Sequence, residues 1–140
     1  MKNSLIILMV LVLSACQTSQ KSEEKSKVVL LKDEVMAIHD DVMPKMGELR
    51  KVKKYLLQHA DSIAEADSSR AAVLTVLARR IEDANEGMRD WMRNYEPEFT
   101  GSEEEILAYL EEQKKAIEKV KYKMEGSLAR GNAVLGRNAD

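Results

Sequence analysis

The chain has 140 residues, with 22 basic against 24 acidic side chains, a formal net charge of −2 and a single cysteine. That balance argues against a nucleic-acid partner, which needs a basic face to neutralise phosphates. One cysteine excludes an internal disulfide and a multi-thiolate zinc site.

The first segment reads as a leader. Lys2 provides a basic start, and an unbroken apolar run from Leu5 to Leu13 follows it. Small residues come next, in Leu13-Ser14-Ala15-Cys16. A basic start, an apolar core and a small-residue junction make a secretory signal. The apolar run is too short to span a bilayer, which takes about 20 residues. A cysteine directly after the small residues resembles the lipobox of bacterial lipoproteins. The resemblance implies cleavage after residue 15, diacylation of Cys16 on sulfur and membrane attachment through the lipid. Stable anchoring takes two or more acyl chains, which a diacylglyceryl group supplies. With Cys16 acylated, cysteine catalysis is excluded as well. Gln17 stands where an aspartate tends to retain lipoproteins in the inner membrane, so by analogy the expected location is the cell envelope at the outer membrane.

Residues 16–27 are the expected lipidated tether. From Gln17 to Lys27 no apolar side chain occurs, and such a stretch has nothing to bury.

A helical bundle is expected over 28–135. Val28, Leu31, Val35, Ile38, Val42, Leu49, Val52 and Leu56 step by threes and fours, a heptad-like seam that predicts a helix over about 25–59, disturbed at Pro44. His59 falls at its end, where imidazole complements the helix dipole. Leu74, Leu77, Ile81, Ala84, Met88, Trp91 and Tyr95 give a second seam. Its start has two signals, the S-x-x-E box Ser62–Glu65 and the later Asp67-Ser68-Ser69, and Pro97 ends it. A third helix starts at Ser102, which forms a capping box with Glu105, and carries Ile106, Leu110, Ile117, Val120 and Met124 on one face. Gly126 and Gly131 weaken it, fraying is expected from about 131, and residues 136–140 are expected to be loose. No strand pattern competes. The short connections favour antiparallel neighbours. The expected fold is therefore all-α: an elongated, coiled-coil-like, antiparallel three-helix bundle on a flexible lipidated N-terminal tether. Its narrow seams also suit a partner helix or a homo-oligomer.

Two segments carry candidate chemistry. Met36, His39, Met43 and Met46 lie at steps of 3, 4 and 3, one stripe of thioether and imidazole groups on a continuous helix; thioethers favour Cu(I). Core packing around a proline kink explains the same residues, since methionine fills irregular gaps. Asp90 to Phe99 holds the only Trp and the only Phe. Trp91 and Tyr95 continue the seam, which leaves Pro97 and Phe99 as the more exposed pair, either a clasp over the turn or an interaction surface. There is no G-x-S-x-G, no phosphate-cradling glycine loop and no H-E-x-x-H. The carboxylate and E-x-x-H pattern of catalytic bundles is also missing, because Met36 precedes His39 by three and Leu56 precedes His59 by three. The expectation is a non-enzyme with no cofactor.

The lipobox, the segment Glu34 to Leu49 and the segment Asp90-Trp91-Met92-Arg93-Asn94-Tyr95 together resemble small helical lipoproteins of the Bacteroidota. Some of these carry the name "viral A-type inclusion protein", which describes coiled-coil character and not a shared activity. The resemblance implies a diderm envelope and a helical lipoprotein. It supplies no catalytic residues. The function expected is a lipid-anchored scaffold, accessory or interaction module bound to an envelope protein, with an envelope Cu(I)-binding protein as the other reading.

Overall fold

The computed structural model describes residues 26–137. The expected signal peptide, Cys16 and nearly all of the expected tether lie outside the described residues. Within them the chain forms four helices and no strand: α1 (Lys27–Val42), α2 (Lys45–Ile63), α3 (Ser68–Asn94) and α4 (Glu103–Val134). They pack as a helical bundle, with α1 chiefly on α4, α2 chiefly on α3, and both α2 and α3 also against α4.

α1 starts where Ser26 accepts a hydrogen bond from the Val29 amide at 3.3 Å. The predicted disturbance at Pro44 separates α1 from α2. Proline lacks the amide that would bond to Asp40 O, and its ring crowds that carbonyl. Both Met43 (φ −55°, ψ −41°) and Pro44 (φ −60°, ψ −28°) nevertheless keep right-handed helical angles. Met46 N and Gly47 N donate to Met43 O and Pro44 O, three residues back, at 3.2 and 3.3 Å. The two helices are thus one rod with an interrupted hydrogen-bond ladder, and the rod changes its main packing partner at the interruption.

α2 runs four residues beyond the expected end at 59, because Ala60 is buried and Ile63 packs against the core. That placement takes His59 away from the helix terminus. It also leaves the Ser62–Glu65 box unused: Ser62 Oγ donates to His59 O at 2.8 Å instead. The later signal caps α3, with Asp67 Oδ1 accepting from Arg70 N at 2.9 Å. The Ser102–Glu105 box forms as expected, with both reciprocal bonds present. At the other end of α4, Gly136 takes a positive φ of 64°. Arg137 N donates to Asn132 O and Gly136 N to Ala133 O, at 2.9 and 3.2 Å. That is a Schellman cap, so Gly136 and Arg137 close the helix rather than begin a loose tail.

The core is a narrow apolar column. Leu110, Ile117, Met124 and Gly131 are the buried apolar positions of α4, each seven residues from the next, the spacing of a heptad seam. α3 contributes Ala71, Leu74, Ala78, Ile81, Ala84, Met88 and Trp91. Leu77 is only half-buried, so the expected register is off at that point, where Ala78 faces inward instead. Asn85, seven residues after Ala78, is fully buried and its side-chain amide has no hydrogen-bond partner among the described residues.

Gly131 is a packing residue, not a weak point. A Cβ there would lie 2.5 Å from Val52 Cγ1 and 3.2 Å from Ile81 Cδ1. Glycine therefore lets α4 approach α2 and α3 closely, and the helix continues to Val134 instead of fraying from 131.

Ion pairs flank the seams. Glu34–Lys114 (2.7 Å), Asp41–Lys121 (2.6 Å) and Lys45–Glu125 (2.6 Å) all join residues 80 apart, so numbers rise together on both helices. Lys53–Glu82 and Lys32–Glu98 tie the first rod to α3 and to the turn after it; there numbers fall on one side as they rise on the other.

Candidate functional site

Five rings stack at the end of the bundle that holds the α3–α4 turn. α3 presents Trp91 and Tyr95 at i and i+4, with centroids 4.8 Å apart. His39 of α1 stacks on Trp91 at 5.5 Å. Tyr109 of α4 lies 6.3 Å from Tyr95, and Phe99 of the turn lies 4.3 Å from Tyr109. Stacked rings contribute about 0.5–1.5 kcal/mol per pair beyond area burial. Glu96 N donates to Tyr109 Oη at 2.6 Å, fixing the turn to α4. Trp91 Nε1 and Tyr95 Oη are buried without a partner among the described residues. Burial first, then Tyr109 and Glu98, push the Tyr95 hydroxyl pKa above its ordinary value. The column ties α1, α3 and α4 together.

That column accounts for several of the sequence candidates. Phe99 is half-buried against Tyr109, and the Pro97 carbonyl accepts from Lys32 Nζ at 2.6 Å. Pro97 itself is exposed, while Phe99 is only partly so. His39 Nδ1 lies 2.8 Å from Asp40 Oδ1, while Asp41 turns away to Lys121. Burial differs along the methionine stripe. Met36 packs half-buried on the core, Met46 is buried, and Met43 is 44% exposed. Among the described residues, no three His, Cys, Asp or Glu side chains gather where they could hold a metal ion. No helix among them is long and apolar enough to cross a membrane.

The outer face of α3 carries a feature that the sequence reading missed. Val73 is 57% and Val76 48% exposed. With Ala72 and Leu77 they line a shallow apolar concavity of about 310 Å³, closed at one end by Arg80. α3 thus has two apolar stripes: Ala71, Leu74, Ala78 and Ile81 face the core, and Val73, Val76 and Leu77 run beside them. Two overlapping sets of three- and four-residue steps in 71–81 were the available signal. A single seam drawn through Leu74 and Leu77 merged them.

Comparison of the chain with protein families, with curated proteins and with solved structures finds no match.

Proposed function

We propose that this chain is a non-enzymatic, lipid-anchored helical module of the bacterial envelope that works by presenting the outer face of α3 to another protein. The observation that carries the reading is the exposed pair Val73 and Val76, with half-buried Leu77 beside them. Isolated exposed apolar residues need no explanation, but a contiguous apolar strip on an otherwise charged helix marks a contact surface. Covering the two valines returns on the order of 1 kcal/mol each.

The leader, the cysteine after Ala15 and the polar residues 17–27 support anchoring through Cys16, with the bundle held off the membrane. An antiparallel, up-down-up arrangement of three rods belongs to the same reading. The ion pairs at a constant offset of 80 support a common direction for α1 and α4, and Lys53–Glu82 supports an opposite one for α2 and α3. Such a bundle presents α3 on one flank along much of its length.

A photo-crosslinking side chain at position 76, in intact cells, tests the proposal. A discrete adduct with an envelope protein is expected from position 76. The exposed Gln58 on α2 should give none, and Val73→Asp with Val76→Asp in the flanking register should remove contact-dependent capture from a crosslinker moved to position 72. Equal adducts from positions 76 and 58 would mean that the α3 face has no special role.

A further inference from the structure

We propose that the groove between α3 and α4 floored by Gly126 is the binding site for an acidic polypeptide segment of the partner; this deepens the interaction reading and rests on it. The groove encloses about 260 Å³ and is bordered by Arg80, Asp83, Tyr122, Lys123 and Arg130. It adjoins the apolar strip on α3 through Arg80, which lines both.

Three observations converge on an anionic occupant made of polypeptide. Charge is the first. Cations along the helix seams are paired: Lys45, Lys53, Arg89, Arg93, Lys114 and Lys121 each meet a carboxylate. Arg80, Lys123 and Arg130 have no ion-pair partner among the described residues, and Asp83 offsets one of the three. A chain that is acidic overall thus places an uncompensated positive patch in a concavity, where it attracts and orients anionic groups.

Gly126 is the second. A glycine inside a helix costs about 0.8–1 kcal/mol relative to alanine. Gly131 on the same helix has a packing reason, but a Cβ at Gly126 would meet nothing within 4 Å. Its missing side chain leaves the helix backbone open at the groove floor, as a close approach by a bound chain requires. Size and chemistry of the rim are the third. Small-molecule pockets run from roughly 300 to 1,000 Å³, and 260 Å³ fits one or two side chains of a longer segment. Tyr122, 75% exposed on the rim, is the residue type that dominates protein–protein hot spots.

The test uses the purified chain and a fluorescein-labelled amphipathic helical peptide with leucine on one face and glutamate on the other. A sequence-matched peptide with lysine in place of glutamate is the control. Binding of the glutamate peptide alone is expected, weakening with salt. Gly126→Leu projects a side chain into the groove from a Cβ that meets nothing within 4 Å, and Arg80→Glu with Arg130→Glu reverses its charge. Each should lower affinity about tenfold or more with an unchanged far-UV circular dichroism spectrum. Equal binding of both peptides, or binding indifferent to Gly126→Leu, would overturn the proposal. So would saturable binding of inorganic phosphate that Gly126→Leu abolishes, which marks a free-anion site. Phosphatidylglycerol vesicles that bind through Arg80 and Arg130 would overturn it in favour of a lipid surface. Crosslinking from position 76 reads the α3 face separately. A position-76 adduct that survives Gly126→Leu, beside an inert groove, removes this inference and leaves the proposed function standing.

Discussion

Gly131→Ala should destabilise the bundle even though alanine is the better helix former. The substitution gains about 1 kcal/mol of helix propensity. Against that, the new methyl would sit 2.5 Å from Val52 Cγ1, about 1 Å inside the normal separation of carbon atoms. Val52 is 1% exposed and β-branched, and valine in a helix has essentially one χ1 rotamer. It cannot swing aside, so α2 and α4 must separate. Overpacking of this kind costs about 1–3 kcal/mol, and the Ile81 methyl at 3.2 Å places the cost toward the upper end. A net loss of about 1–2 kcal/mol is expected from urea unfolding followed by far-UV circular dichroism. Gly126→Ala, on the same helix with nothing near its Cβ, should gain about 1 kcal/mol. Val52→Ala should relieve the clash, so the double mutant with Gly131→Ala should be more stable than the two single losses sum to, by about 1 kcal/mol or more. If Gly131→Ala proves as stabilising as Gly126→Ala, the close approach of α4 to α2 is wrong.

Leu74→Ala should cost about 2–5 kcal/mol as a fully buried residue, and Leu77→Ala only about 1 kcal/mol; urea midpoints in the reverse order would restore the register in which Leu77 is core. Asn85→Leu removes two buried, unpartnered polar atoms and should be neutral or raise stability by about 1 kcal/mol, whereas a loss above about 1 kcal/mol would reveal a polar partner for that amide. Stability should fall in acid. Lys53 and then Arg89 hold the Glu82 carboxyl below its ordinary 4.5, and Arg93 and then Arg89 do so for Glu86. Such groups stabilise the fold above their unfolded pKa, and the contribution is lost as pH falls from about 4.5 through the depressed folded values. Glu82→Gln should flatten that acid limb, and an unchanged pH profile would mean the Lys53–Glu82–Arg89 cluster contributes nothing.

The helix termini show where sequence suffices. Ser102 and Glu105 specify their own cap, because all the participating groups lie within one turn. Ser62–Glu65 and Asp67 were equivalent in the sequence; burial of Ala60 and packing of Ile63 decide between them, and those depend on other helices. Gly131 looks like a helix defect in isolation, since its reason, Val52, is far away in the chain. Trp91 and Tyr95 were legible as an i, i+4 pair, but Tyr109, Phe99 and His39 join them only through the fold. Pro44 was legible as the point where the hydrogen-bond ladder breaks, but the burial of Met46 beside an exposed Met43 depends on the neighbouring helices. The apolar face of α3 was hidden because two stripes one position apart read as one. At Cys16 the dependence is reversed: the proposed anchor rests on the sequence alone and lies outside the described residues.

The most direct measurement of the central claim is maleimide labelling of the Val76→Cys variant, in the intact envelope and after purification, read by intact mass. An acylated Cys16 leaves the thiol introduced at position 76 as the only one. One maleimide per purified chain is expected, on a mass that includes the lipid, with strong protection of that thiol in the envelope. Two maleimides per chain would show Cys16 to be free, and equally fast labelling in the envelope would show that nothing covers the α3 face.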